Sequence, residues 1–171
     1  MEISSNGENG THETLCNLLR DENAFVVCAM TGSQWEGAEL VNRAAIRMKR
    51  PTIYYRAHGL HVQVGPLVIP GETACVECFR IRRDSNLAPW ERSFNRAIKD
   101  VGRLAAALGL DWLVVELIKL TTDLGEPVSR GRVLFIDYFS GLPELHPLLR
   151  VPRCPVYGPI RKPQVRLWED L

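Results

Sequence analysis

The amino-acid sequence predicts an α/β fold that opens with a parallel strand–helix–strand crossover and ends in a β-hairpin and a cysteine-bearing tail. Three observations carry this expectation. An apolar run of strand length at 24–30 is followed by apolar residues at helical spacing (Leu40, Val41, Ala44, Ala45, Met48), then by the strand-like Thr52-Ile53-Tyr54-Tyr55-Arg56. Two further strand-like stretches, 132–138 and 144–149, flank a Ser140-Gly141 turn, the pattern of a hairpin. The chain has 171 residues, 46% of them hydrophobic, which suffices for one domain with a core of its own.

In chain order, residues 1–13 are polar and expected to be disordered, and 14–20 to form a short helix. The unbroken apolarity of 24–30 suits a strand covered on both faces. Residues 34–49 then form an amphipathic helix closed by Pro51. After the strand at 52–56, residues 60–64 alternate as a half-exposed strand does. The extended Pro66-Leu67-Val68-Ile69-Pro70 leads to a turn at Gly71, so Cys75 and Cys78 are expected in a turn. Phe94, Ala97, Ile98, Val101, Leu104, Ala105 and Leu108 mark a second amphipathic helix stopped by Gly109. Asp111 is expected to cap a third helix over 112–124, apolar around nearly its whole circumference and therefore buried. Residues 14–158 make up the domain, and 159–171 an irregular tail rich in Pro and Arg.

A formal net charge of +1, with both signs evenly scattered, argues against nucleic acid or anionic lipid as a partner. The basic run Arg80-Ile81-Arg82-Arg83 reads as a solvated surface. The N-terminus lacks the basic start and apolar stretch of a signal peptide, and no apolar run reaches bilayer length, so a cytoplasmic protein is expected. Five cysteines, an odd number with one tight pair, then read as metal ligands plus core thiols rather than a disulfide framework. Cys28, within an apolar run, reads as a buried core residue.

The chemistry concentrates in Cys75-Val76-Glu77-Cys78 and the downstream Cys154-Pro155-Val156-Tyr157. A C-x-x-C turn presents two sulfurs on one side, and two such turns make a tetrahedral zinc site. Cys75, Cys78 and Cys154 supply three ligands. Tyr157 stands where a fourth cysteine would be, and a phenol with a pKa of about 10 is a poor zinc ligand. His58, His61 or His146 could serve instead if the fold brings one near. Without metal, Cys75 and Cys78 could be a redox pair, its thiolate favoured by the basic run that follows.

The stretch 64–78, the later Glu126-Pro127-Val128-Ser129-Arg130-Gly131-Arg132-Val133, and 146–155 together resemble the E1-like (ThiF-type) cyclodehydratase component of thiazole/oxazole-modified bacteriocin biosynthesis. The resemblance runs from about residue 24 to about 158. It implies a partial Rossmann-like sheet of the ubiquitin-like modifier-activating type, truncated at its N-terminal side; the structural zinc is read from the cysteine spacing itself. It also implies partners: a YcaO-type cyclodehydratase, a ribosomal precursor peptide and a second copy in a homodimer. The sequence departs from the family where ATP would bind. No G-x-G-x-x-G is present, and Cys28-Ala29-Met30-Thr31-Gly32-Ser33-Gln34 carries no carboxylate for magnesium. ATP is therefore not expected, and no residue stands out as catalytic. The expectation is an accessory protein that docks a YcaO-type enzyme or a precursor peptide. An adenylating E1-like enzyme and a truncated remnant are the alternatives.

Overall fold

A computed structural model describes residues 8–31, 35–86, 102–122 and 124–159. The elements are α1 (Glu8–Leu18), β1 (Val26–Thr31), α2 (Glu36–Arg47), β2 (Thr52–His58), β3 (His61–Val68), α3 (Val76–Asn86), α4 (Gly102–Thr121), β4 (Arg132–Asp137) and β5 (Leu142–Pro147). A two-stranded ribbon of β6 (Arg153–Cys154) and β7 (Gly158–Pro159) follows. Five strands form one mixed sheet in the order β1-β2-β3-β4-β5. The crossover through α2 makes β1 and β2 parallel, and the remaining neighbours are antiparallel hairpin partners or, for β3 and β4, partners joined across α3 and α4.

The sheet buries a core on each face. Alternation along β2 sends Tyr54 to one side and Ile53 and Tyr55 to the other. Tyr54, Val68 and Val133 pack with Ala38 of α2, Phe79 of α3 and the three cysteines Cys75, Cys78 and Cys154. Ile53, Tyr55, Val62, Val64 and Leu134 pack with Ala105 and Leu113 of α4. Because helices cover both faces, β3 is buried from Val62 to Val68, not half-exposed as its alternation suggested. Within that buried stretch the polar Gln63 is 4% exposed and donates its amide N–H to the Gly65 carbonyl at 3.0 Å.

Three further expectations change. Strand β1 stands at the sheet edge with Val27 42% exposed, so its apolar run does not mark a strand covered on both faces. Cys28 is accordingly half-buried rather than fully enclosed. Helix α1 begins at Glu8 instead of residue 14. It packs on α2, and Arg50 donates hydrogen bonds to the carbonyls of Leu19, Arg20 and Glu22 just past its end.

The largest change concerns Gly109, which does not stop a helix. Helix α4 runs unbroken for 20 residues through Gly109 and Asp111. A Cβ at position 109 would lie 2.6 Å from Val62 Cγ1 and 2.7 Å from the Tyr55 hydroxyl, so the glycine lets the helix axis approach β2 and β3. The Tyr55 hydroxyl donates to the Ala106 carbonyl in the turn before. Nor is 112–124 a buried helix: only one side of α4 meets the sheet, and Trp112, Val114, Val115 and Ile118 are 42–48% exposed. Of the helix expected to stop at Gly109, residues 94–101 lie outside the described residues. Among the described residues no helix is long and apolar enough to cross a membrane.

Candidate metal centre

Strand β3 delivers the chain into a tight turn that sets the first two cysteines. Thr73 Oγ1 accepts the Ile69 N–H at 2.8 Å and donates to the Leu67 carbonyl at 3.1 Å, while Gly71 takes a φ of +90°. Cys75 ends this turn, and Cys78 sits in the first turn of α3, so the pair lies at a helix N-terminus rather than within a turn alone. Sequence reading missed α3 because its apolar content is low. The signal was present in charge spacing instead: Arg80 lies three residues after Glu77 and four before Asp84 and pairs with both, at 2.7 and 3.4 Å.

The C-terminal ribbon brings Cys154 to the same place. Cys75 Sγ lies 3.8 Å from Cys78 Sγ and 3.6 Å from Cys154 Sγ, with all three ligand atoms within 4.8 Å of one another. The three residues are at most 1% exposed. Hydrogen bonding from the Cys75 thiol pulls the Cys78 pKa down, helped by the Val151 N–H at 3.4 Å, whereas Cys75 is pushed up as the donor of that bond. Three converging, buried thiols with one biased toward thiolate are a donor set that can hold a soft metal ion.

Tyr157 packs against this cluster, covered by the Arg150 guanidinium 4.3 Å from its ring. Burial, then the neighbouring Cys75, pushes its phenol up to about 12, which keeps it protonated and poor as a ligand. The three histidines considered as a fourth ligand lie elsewhere. His58, His61 and His146 line a cleft of about 700 Å3 across the β2–β5 face of the sheet.

The metal centre and this cleft are linked through α3. Next to Cys78 in sequence, Phe79 stacks in a tilted row between Trp35 at 5.7 Å and Phe135 of β4 at 6.1 Å, and Phe135 meets the His146 ring at 5.4 Å. Arg83 reaches the cleft from the next turn. The Arg83 and Arg56 guanidinium carbons lie 4.5 and 4.7 Å from the Trp35 ring centroid. Burial, and secondarily the charge of Arg83, lowers the Arg56 pKa to about 10. Across the cleft, His61 faces Asp137 at 3.3 Å and His146 faces Glu144 at 3.1 Å. His58 Nε2 is buried with no hydrogen-bond partner among the described residues. Burial, then Arg56 and His61, pushes the His58 pKa down, so the ring is neutral at pH 7.

The basic run is thus not a solvated surface. Arg80 ties α3 to Glu39 of α2 at 3.2 Å, and Arg82 donates to the Leu149 and Arg150 carbonyls at 2.7 and 3.2 Å. Only Arg83 reaches the cleft.

No protein-family model matches the sequence, and no curated protein matches it. Solved structures do. The chain superposes on the crystal structure of E. coli MccB with a TM-score of 0.58 at 20% identity, covering 92% of this chain and 44% of that one. The heterocyclase TruD gives a TM-score of 0.62 at 19% identity, covering 92% of this chain and 26% of TruD. The fold is that of MccB and TruD. A third match, at a TM-score of 0.60 and 20% identity over 92% of this chain and 46% of the other, is the microcin C7 biosynthetic enzyme MccB in complex with N-formylated MccA. The chain spans less than half the length of MccB and about a quarter of TruD.

Proposed function

We propose that this protein is an accessory E1-like component in the biosynthesis of a thiazole/oxazole-modified peptide, holding a ribosomal precursor peptide for a YcaO-type cyclodehydratase rather than catalysing itself. One observation supports this most: a cleft open along the sheet, lined from α3 by Arg83, with α3 starting at the converging cysteines. The fold is shared with the heterocyclase TruD and with MccB solved in complex with N-formylated MccA, which supports a peptide as the occupant of the cleft here. An extended peptide lying along β3–β5 would meet the aromatic Phe135, the neutral His58 as donor or acceptor, and Arg56 and Arg83 as cations.

Cys75, Cys78 and Cys154 hold a structural zinc in this proposal, with Tyr157 shielding it rather than ligating. The ion would fix the relative position of α3 and the C-terminal ribbon, and through α3 the Phe79 and Arg83 side chains of the cleft.

The test is direct binding of the precursor peptides encoded beside the gene, followed by fluorescence anisotropy. The wild type binds with micromolar affinity, and Arg83→Ala with Phe135→Ala weakens binding by roughly tenfold or more. Binding unchanged in both variants would overturn the cleft. ATP–pyrophosphate exchange above background by the purified protein would overturn the accessory role.

A further inference from the structure

The floor of the cleft is built from two rows of side chains that run across the strands. Strand register sets Arg56 of β2 beside Gln63 of β3, Gln63 beside Phe135 of β4, and Phe135 beside Glu144 of β5. Two residues away along each strand, and so on the same face, His58, His61, Asp137 and Leu142 form the second row. Both rows line the cleft from end to end.

Charge is sorted along these rows. At the β2 end stand two guanidiniums, those of Arg56 and Arg83, held on one Trp35 ring at 4.7 and 4.5 Å. The carboxylates stand toward the β5 end, Asp137 with His61 at 3.3 Å and Glu144 with His146 at 3.1 Å. Between the two ends the first row offers Gln63, whose amide is engaged with the Gly65 carbonyl, and the apolar ring of Phe135. Arg56, lowered to about 10 by burial and then by Arg83, is still a cation at neutral pH. A carboxylate entering beside the two guanidiniums relieves their mutual repulsion.

We propose that the cleft reads an extended peptide segment of the pattern acidic-x-apolar-x-basic, its acidic side chain at Arg56 and Arg83 and its basic side chain at Glu144. Neighbouring strands lie about 4.8 Å apart, which puts the Arg56 and Glu144 backbones about 14 Å from each other across β2 to β5. An extended chain rising roughly 3.3 Å per residue covers that span in about four residues. Because side chains alternate, an offset of four points both charged residues at the sheet. The residue midway points the same way and falls over Phe135, where an apolar side chain fits. The inference rests on the peptide role proposed above and adds to it the sequence that the cleft selects.

The test is isothermal titration calorimetry of the full-length chain with synthetic peptides, both ends blocked so that only side chains carry charge, run beside the precursor peptides. A peptide centred on Asp-Ser-Leu-Ser-Lys binds at least about tenfold more tightly than its isomer Asp-Lys-Leu-Ser-Ser, in which the charges are adjacent. Glu144 is 66% exposed, so Glu144→Lys is tolerated by the fold. That variant weakens Asp-Ser-Leu-Ser-Lys roughly tenfold and strengthens Asp-Ser-Leu-Ser-Asp by a similar factor, an exchange that loss of structure cannot produce. Equal binding of the two isomers, an unchanged preference in Glu144→Lys, or no binding of any synthetic peptide would overturn the proposal. Precursor binding that persists beside such a result leaves the peptide role standing, and its loss as well removes both.

Discussion

Helices α3 and α4 solve opposite problems. Helix α3 is short and polar, with little apolar surface to bury, and it is held by specific links: two cysteines at its start, the Arg80 cluster toward α2 and the Arg82 bonds to the tail. Helix α4 is long and apolar, is held chiefly by packing on β2 and β3, and among the described residues keeps nearly half of its apolar side chains uncovered. A polar helix fixed by a few contacts is placed accurately but fails when one contact goes. An apolar helix held by many packing contacts tolerates the loss of any one of them. Site geometry therefore depends on α3, while α4 closes the core on the other face of the sheet.

The sharpest way to break that contrast is to remove one sulfur. Cys154→Ser should cut metal content measured by inductively coupled plasma mass spectrometry from about one zinc per chain to near zero. It should also lower unfolding stability in urea by on the order of 4 kcal/mol, since loss of a metal belongs to the few large single-residue effects. If stability and metal content are both unchanged, the cysteine cluster is a thiol core and not a metal site. A smaller loss is expected where a buried carboxylate ties α4 to the segment before β4. Buried Glu116, 2% exposed, accepts the Val128 and Ser129 N–H groups at 3.1 and 2.7 Å and the Ser129 hydroxyl at 2.6 Å. Glu116→Ala leaves those donors buried and unpaired and should cost about 3 kcal/mol, read as a shift in the urea midpoint.

What the sequence revealed follows the same division. The crossover β1-α2-β2, the β4–β5 hairpin and the meeting of Cys75 with Cys154 were legible because each leaves a local mark: apolar periodicity, a Ser140-Gly141 turn, a cysteine spacing. The cleft was not legible. Its walls come from five separate elements, and His58, His61 and His146 become neighbours only after the hairpins fold, so no window of sequence contains the pattern. Helix α3 was hidden because its support is ionic rather than apolar. At Gly109 the signal was read in the wrong terms, because a glycine that ends a helix and a glycine that lets a helix approach a sheet look the same in one dimension. The burial of α4 was overestimated for a related reason, since an apolar circumference shows what could be covered and not what is.

Gly109 gives the next prediction in size. Gly109→Ala adds a methyl group where Val62 and Tyr55 leave no room and should destabilise the protein by about 2 kcal/mol by overpacking. Gly37, in α2, meets no atom of another element within 4 Å of where a Cβ would stand among the described residues, so Gly37→Ala should instead stabilise by about 0.5–1 kcal/mol through helix propensity. Thermal unfolding of the two variants measures the difference. Equal effects would mean that α4 does not sit against β2 and β3 as closely as described.

The smallest expected effect tests the cleft through pH. Burial, then Arg56 and His61, holds the His58 pKa below its ordinary value of 6.5. The folded protein therefore binds fewer protons at His58 than the unfolded chain does. Its contribution to stability is complete above the unfolded value and is lost as pH falls through that value toward the folded one. Asp137 is also lowered, chiefly by the Phe139 N–H at 2.9 Å, and its contribution is lost only at more acidic pH, below the ordinary aspartate value of 3.8. The two windows are separate, so a single variant can tell them apart. His58→Gln should flatten the fall in urea midpoint between about pH 7 and pH 5, the window set by the histidine's ordinary pKa, and leave the steeper acid limb in place. An unchanged slope in that window would mean that His58 is solvated in the folded protein, and that the cleft lacks the dry floor on which a peptide's polar groups would be read.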